Sequence, residues 1–292
     1  MNPTTNDLQG KTIVITGANQ GIGKAAALAL GRRGARLLLV CRSPDKSRAA
    51  VDELRAAGVA EVELVLADVS SLGELRRVSE TLHTMTDRVD VLLNNAGMLV
   101  TSRRESADGF ELTFATNHLA YFMLTHHLRD LLDRSPAARV VNVSSDGHYV
   151  GGVNFDNLQR RRGLYNPWTV YCDSKLMNVL FTLELARRLE GTKITANALH
   201  PGVVSSNFGK TDGGLTAMFV ALGRPFMISP EQGAATSVFL AADPSVAGVT
   251  GKYFAKCKEK TPSRAARDAA LARTLWEVTE ELAGLKGTVS AT

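Results

Sequence analysis

A strand, a glycine-rich turn and a helix follow one another near the start of this chain, and few folds begin in this way. Residues 12–16 (TIVIT) are apolar and β-branched, residues 17–23 (GANQGIG) hold three glycines, and an alanine-rich run continues to Arg33. Glycines permit positive φ angles and close backbone approach to a ligand, while the start of a helix offers free N–H groups and a positive dipole end. The turn therefore predicts a dinucleotide pyrophosphate site. A plain connecting loop would look similar, and the spacing G-x-x-x-G-x-G differs from the usual G-x-G-x-x-G.

Strand-like and helix-like runs alternate along the rest of the chain. Further strands are expected at residues 37–41, 62–67, 89–93, 139–143, 194–199 and 251–254. Asp108 is expected to cap the helix that carries Asn117, and a last helix is expected from about residue 263 to 285. Such alternation predicts parallel strands with right-handed helical crossovers. The expected fold class is α/β: a single-domain, Rossmann-type, doubly wound parallel sheet with helices on both faces, spanning residues 1–292.

Ligands of such sheets bind beyond the carboxyl ends of the strands, so the residues found there predict the cofactor. The second strand is followed by Arg42, without the acidic residue that would hold the 2′-hydroxyl of NAD. The guanidinium could instead hold a 2′-phosphate through charge-assisted hydrogen bonds, each worth roughly 1.5–3 kcal/mol. NADP(H) is therefore the expected cofactor, with a solvent-exposed loop arginine as the alternative interpretation.

Two further strand ends are candidates for cofactor contacts. Asp68 and Val69 follow the third strand, where a carboxylate and a backbone N–H could bind an adenine amino group. The fourth strand ends in residues 94–97 (NNAG), whose small side chains would let the backbone lie against a cofactor ribose. A tight turn without a ligand would have the same composition.

Tyr171 and Lys175 lie four residues apart at the start of a long helical run, so the two side chains share one face of the helix. An ammonium beside a phenol favours the phenolate and lowers its pKa, which would suit the pair for acid–base chemistry. Taken alone the pair is a weak signal, because this spacing occurs on many helices. His148, close to Ser145, is more simply interpreted as a loop histidine than as a pocket residue, and His200 as a support for the next turn.

Six motifs in a fixed order give the chain a resemblance to a known family. They are Thr16-Gly17-x3-Gly21-x-Gly23, Asn94-Asn95-Ala96-Gly97, Asn117, Ser145, Tyr171-x3-Lys175 and Pro201-Gly202. Together they resemble the short-chain dehydrogenase/reductase family over about residues 10–255. The runs NVSS, YCDSK and HPGVV are most similar to the branch that contains retinol dehydrogenases and related carbonyl reductases.

The resemblance implies a role for each matching residue. Tyr171 would donate and accept the proton, and Ser145 would hydrogen-bond the substrate oxygen. Lys175 would bind the nicotinamide ribose and bias the tyrosine, and Asn117 would steady a water relay behind it. Together with the strand-end residues above, the predicted cofactor-binding residues are Gly17, Asn19, Gln20, Gly21, Ile22, Gly23, Arg42, Asp68, Val69, Asn94, Ala96, Gly97, Tyr171, Lys175, Pro201, Gly202 and Val204. No metal is expected.

The expected function is that of an NADP(H)-dependent oxidoreductase that interconverts an aldehyde or ketone and the corresponding alcohol. Apolar residues between Gly202 and Pro230 predict a substrate cap at residues 203–228 and favour a fairly apolar substrate, with ordinary core packing as the alternative. Two other functions stay open: a catalytically silent dinucleotide-binding regulator or scaffold, and an epimerase or dehydratase relative.

Charge, hydropathy and cysteine content narrow the expected partners and location. The net charge of +5 comes from scattered basic residues, so no nucleic-acid partner is expected. No apolar run reaches the length of about 18 residues that a membrane span needs, and three cysteines at no metal or redox spacing indicate a reducing compartment. We therefore expect a cytoplasmic protein with a small carbonyl or alcohol substrate and no membrane partner. Residues 286–292 are expected to form a flexible tail, and a homo-oligomer is left open.

Overall fold

The computed structural model describes residues 7–202 and 228–285, and within them it forms one eight-stranded sheet. The strands are β1 (Thr12–Thr16), β2 (Arg36–Cys41), β3 (Val62–Leu66), β4 (Val91–Asn94), β5 (Arg139–Val143), β6 (Thr195–His200), β7 (Lys252–Ala255) and β8 (Lys258–Glu259). Their order across the sheet is β3-β2-β1-β4-β5-β6-β7-β8. The expected tail at residues 286–292 lies outside the described residues, and so does the expected cap at 203–228 except for Ile228.

Helices flank this sheet on both faces. They are α1 (Gly21–Gly31), α2 (Pro44–Ala56), α3 (Leu72–Met85), α4 (Leu112–Phe114), α5 (Ala120–His127), α6 (Arg129–Asp133), α7 (Pro167–Arg188), α8 (Pro230–Ala242) and α9 (Ala269–Leu282). A π-helical turn, Ala115–Leu119, joins α4 to α5. None of the helices in the described parts of the chain is both long and apolar enough to cross a membrane.

Burial of both sheet faces explains why the strands are apolar runs without alternation. Every residue of β1 is buried, and its side chains divide between two apolar clusters. Ile13 and Ile15 pack with residues of α1, α2 and α8, whereas Val14 packs with residues of α3, α5 and α7. Parallel strands that are covered by helices on both sides have this composition. The strands from β1 to β7 are parallel, so the predicted fold class is confirmed.

The order in which the chain adds strands to the sheet reverses between β1 and β4. From β1 the chain proceeds to β2 and β3 on one side, and β4 then pairs with β1 on the other side. At such a switch point the connections from neighbouring strands diverge and leave a crevice beyond their carboxyl ends. The loops after β1 and β4 border this crevice, and the end of β5 lies next to it.

The last part of the sheet differs from the prediction. β7 and β8 form an antiparallel hairpin that was not expected from the sequence. Its turn residues Lys256 and Cys257 have φ angles of 52° and 59°, a conformation that glycine or asparagine usually signals. The final helix begins at Ala269 instead of about residue 263, because the Asp268 side chain caps it there.

The residue that caps the helical run with Asn117 also differs from the prediction. The Asp108 carboxylate accepts a hydrogen bond from the backbone N–H of Leu72, at the start of α3. Glu111 instead caps α4, because its buried carboxylate accepts from the N–H groups of Thr113 (2.9 Å) and Phe114 (2.7 Å). The prediction for Asp108 was therefore wrong by three residues.

The C-terminal helix α9 packs across α5 and α7. The Trp276 ring lies 4.8 Å from the Phe122 ring and 5.8 Å from the Phe181 ring, and the Arg188 guanidinium lies 4.3 Å from the indole. Thr279 of the same helix hydrogen-bonds His118 Nε2 at 3.0 Å. The outer face of α5 and α7 is thus covered by the chain itself.

Candidate active site

The turn after β1 packs so closely on its neighbours that Gly17 and Gly23 have no room for a side chain. Gly17 has a φ of +67°, and a Cβ placed on it would lie 2.9 Å from the Cα of Ala96. A Cβ on Gly23 would collide with the carbonyl oxygen of Gly17. Gly21, with a φ of +55°, begins α1, and the side chain of Gln20 makes no capping hydrogen bond there. The first N–H groups of α1 are therefore left without a side-chain cap, as the predicted pyrophosphate site requires.

Asn95 and Thr16, which were not among the predicted site residues, tie this turn to the loop after β4. The Thr16 hydroxyl accepts from the N–H groups of Asn95 and Ala96, each at 2.9 Å. The Asn95 side chain donates to the carbonyl oxygens of Thr16 (2.9 Å) and Gly17 (3.2 Å). The signal for both residues was present, because a polar side chain at a strand end commonly satisfies neighbouring backbone groups.

Asn94, a predicted cofactor-binding residue, turns its side chain into the core. It is fully buried, and its Nδ2 donates to the Asn142 Oδ1 at 2.9 Å and to the Thr125 hydroxyl at 3.3 Å. Any contact between Asn94 and a cofactor would therefore have to use its backbone.

Arg42 and Asp68 form an ion pair at the expected position beyond β2 and β3. The Nη1 of Arg42 lies 3.4 Å from the Asp68 Oδ2, and 61% of the arginine side chain is exposed. Burial alone would raise the pKa of Asp68, but hydrogen bonds from Ser70 and the charge of Arg42 outweigh it and lower the pKa. Exposed pairs of this kind contribute about 1 kcal/mol or less, so a phosphate could compete for the guanidinium. Val69 follows as a buried residue.

Tyr171 lies in the second turn of α7 and meets Ser145 from the end of β5. The helix begins at Pro167, after Asn166 has capped it through the N–H of Thr169. The phenol and the Ser145 hydroxyl share a hydrogen bond. The Ser145 oxygen also accepts from the N–H of Gly147 at 3.1 Å. The structure therefore brings together the two polar groups that the sequence placed 26 residues apart.

The pKa of Tyr171 is shifted in the direction opposite to the prediction. Burial raises the pKa of Tyr171 to about 12, although the hydrogen bond from Ser145 opposes this. Burial also lowers the pKa of Lys175 to about 7. The lysine Nζ lies 5.6 Å from the centroid of the phenol ring and donates to the carbonyl oxygen of Val143 at 3.1 Å. The expected lowering of the tyrosine pKa was wrong for this structure, since burial disfavours both charged forms and the spacing alone gives no information on burial.

Asn117 lies in the π-helical turn between α4 and α5, and its side chain is fully engaged. The Oδ1 accepts from the N–H of Met98 at 2.8 Å, and the Nδ2 donates to the Met98 carbonyl and the Ser174 hydroxyl, both at 2.9 Å. π-helical turns often occur at functional sites. The side chain thus fixes the loop after β4 against α7, and the water relay stays a prediction.

Gly97 leaves room beside the lysine. A Cβ on this residue would lie 3.4 Å from the Lys175 Nζ and 3.5 Å from the Asn117 Oδ1. Both are ordinary contact distances, so the missing side chain is not required by packing within the protein. Glycine here keeps open the surface in front of Lys175.

The residues after β6 complete the rim of the crevice. Gly202 has a φ of +95°, and a Cβ on it would lie 2.5 Å from the Cδ1 of Ile228. Pro201 precedes it at the strand end, and Val204 lies outside the described residues. His148 lies in the turn after β5, and its side chain is completely buried.

These features fit a nicotinamide dinucleotide. The start of α1 offers N–H groups to a pyrophosphate, and the glycine surface at Gly97 lies in front of a buried amine. Among residues 7–202 and 228–285, no group of three or more histidine, cysteine, aspartate or glutamate side chains is placed to hold a metal ion.

Comparison with known proteins agrees with this geometry. A family model described as short chain dehydrogenase matches residues 11–213. Retinol dehydrogenase 13 of Homo sapiens is 41% identical over 290 residues, which covers 97% of this chain and 88% of that protein. Retinol dehydrogenase 14 of Homo sapiens is 40% identical over 295 residues, which covers 95% of this chain and 88% of that protein.

Solved structures share the fold of this chain. An uncharacterised protein from Mycobacterium Paratuberculosis superposes with a TM-score of 0.78 at 31% identity, over 97% of this chain and 98% of that chain. The RhlG/NADP active-site complex of Pseudomonas aeruginosa superposes with a TM-score of 0.68 at 26% identity, over 93% of this chain and 100% of that chain.

Proposed function

Because the chain belongs to the short-chain dehydrogenase family, whose members are oxidoreductases that use a nicotinamide dinucleotide, we propose that it interconverts a fairly apolar aldehyde or ketone and the corresponding alcohol with NADP(H). One observation carries the proposal. The Tyr171 phenol and the Ser145 hydroxyl share a hydrogen bond beyond the end of β5, next to the switch point of the sheet and beside the buried Lys175. A phenol and a hydroxyl so placed can share one carbonyl oxygen between them.

Ser145 hydrogen-bonds the substrate oxygen on which negative charge develops. Its oxygen accepts from the N–H of Gly147, and its hydroxyl proton can be donated to a substrate oxygen. A bound nicotinamide cofactor would supply the hydride in reduction and take it in oxidation. A fixed donor aimed at the developing charge is worth about 10²–10³ in rate in enzymes of other classes.

Tyr171 supplies the proton in the reduction direction. Its pKa of about 12 keeps the phenol protonated at neutral pH, and an alkoxide is a far stronger base. In the oxidation direction the phenolate has to form first. The raised pKa of Tyr171 opposes this ionisation at neutral pH.

The preference for NADP(H) is supported by the residue beyond β2. Arg42 is largely exposed at the strand end, and its partner Asp68 holds it only through a weak surface ion pair. The test compares kcat/KM for NADPH and NADH in wild type, Arg42→Ala and Arg42→Asp. We expect both variants to lose at least tenfold with NADPH, with Asp the worse. Arg48→Ala removes an equally exposed arginine on α2 and is the matched control.

Equal efficiency of the wild type with both cofactors would contradict the NADP(H) preference, and so would an unchanged Arg42→Asp variant. The oxidoreductase proposal would survive that result, because the hydrogen-bonded Tyr171 and Ser145 do not depend on the 2′-phosphate.

The apolar substrate is supported by the sequence of the proposed cap and by exposed apolar groups near the site. Trp168 stacks on the Tyr171 ring at 5.8 Å, yet 58% of the tryptophan is exposed. A panel of short, long and aromatic aldehydes and ketones, followed by loss of the reduced-nicotinamide absorbance, tests this proposal. We expect kcat/KM to rise with apolar length, and Tyr171→Phe to lose at least 10²-fold.

The same panel separates the alternatives. An epimerase or dehydratase would convert substrate without net loss of the reduced cofactor. A silent regulator would bind NADPH but show no turnover, and its Tyr171→Phe variant would not differ from the wild type.

A further inference from the structure

The peptide group between Ser145 and Asp146 is held from both sides by histidine rings. Its carbonyl oxygen accepts from the His148 Nδ1 at 2.8 Å and from the His148 backbone N–H at 3.1 Å. Its N–H donates to the His200 Nδ1 at 3.2 Å. One ring belongs to the turn after β5 and the other to the end of β6, so this peptide is fixed by two separate elements.

The partners of each ring determine its tautomer. A carbonyl oxygen can only accept, so the proton of His148 is on Nδ1. Its Nε2 carries none, because it accepts from the N–H of Ser263 at 3.1 Å. His200 has the opposite tautomer, since its Nδ1 accepts from the backbone N–H of Asp146, and its Nε2 lies 3.7 Å from the Asp146 Oδ2. A second proton on either ring would remove one of these acceptors.

The Asp146 side chain is itself anchored to the C-terminal hairpin. Its Oδ1 accepts from the Tyr253 hydroxyl at 2.9 Å and from the Lys260 Nζ at 3.1 Å, and its Oδ2 accepts from the same amine at 3.0 Å. The His148 ring packs between the rings of Tyr149 (4.1 Å) and Tyr253 (4.6 Å). These contacts join β7 and β8 to the residue that follows the serine.

Burial favours the neutral form of both rings. It lowers the pKa of His148 and of His200, and the nearby carboxylate of Asp146 opposes this in both cases. The positive charge of Lys260 acts in the same direction as burial on both rings, and Lys256 adds to it at His200.

We propose that His148 and His200 are positioning residues, which clamp the Ser145–Asp146 peptide so that the Ser145 hydroxyl stays directed at Tyr171. The proposal rests on the proposed function, in which this hydroxyl meets the substrate oxygen. Rotation of the clamped peptide would swing the serine side chain and break its hydrogen bonds to Gly147 and Tyr171. A displacement of about 1 Å at a catalytic group costs about 10²-fold in rate.

The first test measures the tautomers directly and needs no variant. Long-range proton–nitrogen NMR correlations of the wild-type protein distinguish Nδ1–H from Nε2–H histidine. We expect His148 as the Nδ1–H tautomer and His200 as the Nε2–H tautomer at neutral pH. The same tautomer for both rings, or an imidazolium at either position, would overturn the clamp.

The second test replaces the acceptor of His200. In His200→Asn the Oδ1 can take the position of the ring Nδ1, whereas His200→Leu has similar bulk and no acceptor. We expect the leucine variant to lose about tenfold in kcat with the substrate KM and the NADPH affinity unchanged, and the asparagine variant to recover most of the loss. His83→Leu, which removes a surface histidine far from the site, is the control.

A third measurement separates this proposal from the proposed function. The chemical shift of the Tyr171 ζ-carbon reports its hydrogen bond to Ser145 without any turnover. It should change in His200→Leu and stay close to wild type in His200→Asn. If it is the same in all three proteins, the clamp is refuted even for an active enzyme. If it changes as expected and the wild type reduces no carbonyl compound, the clamp stands and the proposed function fails.

Discussion

A methyl group added at Gly147 tests whether the spacing of the site side chains sets the rate. A Cβ on this residue would lie 3.2 Å from the Cys172 Sγ, 3.5 Å from the Ser145 Oγ and 3.7 Å from the Tyr171 Cε1. The carbon–sulfur distance is tighter than most real contacts, so Gly147→Ala has to displace a neighbour by a few tenths of an ångström. Since about 1 Å costs about 10²-fold, we expect kcat to fall about tenfold, or about 1.4 kcal/mol in activation free energy.

The fold itself should tolerate this change. Gly147 does not have a positive φ, so alanine fits its backbone conformation, and the unfolded chain loses entropy worth about 0.4–1 kcal/mol. That gain offsets part of the tight contact with Cys172. The free energy of unfolding should therefore stay near the wild-type value while the rate falls.

The assay is the steady-state reduction of one aldehyde at saturating NADPH, with urea unfolding of the same samples. Gly152→Ala is the matched control, because nothing lies within 4 Å of its Cβ and its φ is not positive either. Cys172→Ala in the Gly147→Ala background removes the sulfur and should restore most of the rate. An unchanged kcat in Gly147→Ala, or no recovery in the double variant, would refute the reasoning.

Four other perturbations follow from separate contacts. Gly97→Ala should raise the cofactor KM about tenfold in initial-rate assays without loss of stability, because its Cβ would make only ordinary protein contacts but fill the surface assigned to the ribose. The rate of alcohol oxidation should increase about tenfold per pH unit above about pH 8, because Lys175 is already neutral there while the fraction of Tyr171 phenolate still increases. A flat pH–rate profile would contradict the raised pKa of Tyr171. Burial alone would raise the pKa of Asp90, but hydrogen bonds from a backbone N–H and a serine hydroxyl outweigh burial and lower the pKa. The charged Asp90 therefore stabilises the fold at pH values above its pKa of about 3.9 in the unfolded chain, and this stabilisation is lost as the pH falls through its lower pKa in the folded protein. Asp90→Asn should therefore lose about 2–3 kcal/mol of unfolding free energy at neutral pH and show a shallower acid decline in urea titrations. Trp276→Ala should lower the unfolding free energy by about 3 kcal/mol, and an unchanged urea midpoint would show that α9 does not stabilise the fold.

Much of this molecule could be predicted because the signals are local. The β-branched run of β1 and the glycines after it specify a strand and a turn within a few residues of sequence. The ends of parallel strands then meet by topology, which brings Ser145 to Tyr171 across 26 residues without any knowledge of side-chain contacts. The strand positions and the confirmed fold class rest on this kind of inference.

What could not be predicted depends on contacts between distant residues. The direction of the Asn94 side chain is decided by Asn142 on the neighbouring strand. The lowered pKa of Lys175 comes from desolvation, which depends on the packing around α7 and not on the spacing between Lys175 and Tyr171. The hydrogen bonds of His148 need a partner 115 residues later in the chain.

The position of α9 has a consequence for self-association. Because Trp276 already lies on Phe122 and Phe181, a second copy could use the flank of α5 and α7 only after α9 had moved away, leaving these aromatic rings in water. A homo-oligomer of this chain would thus have to assemble through other surfaces. A truncated chain that ended before Ala269 would expose the rings of Phe122 and Phe181, which α9 covers in the structure, and would be prone to associate through them.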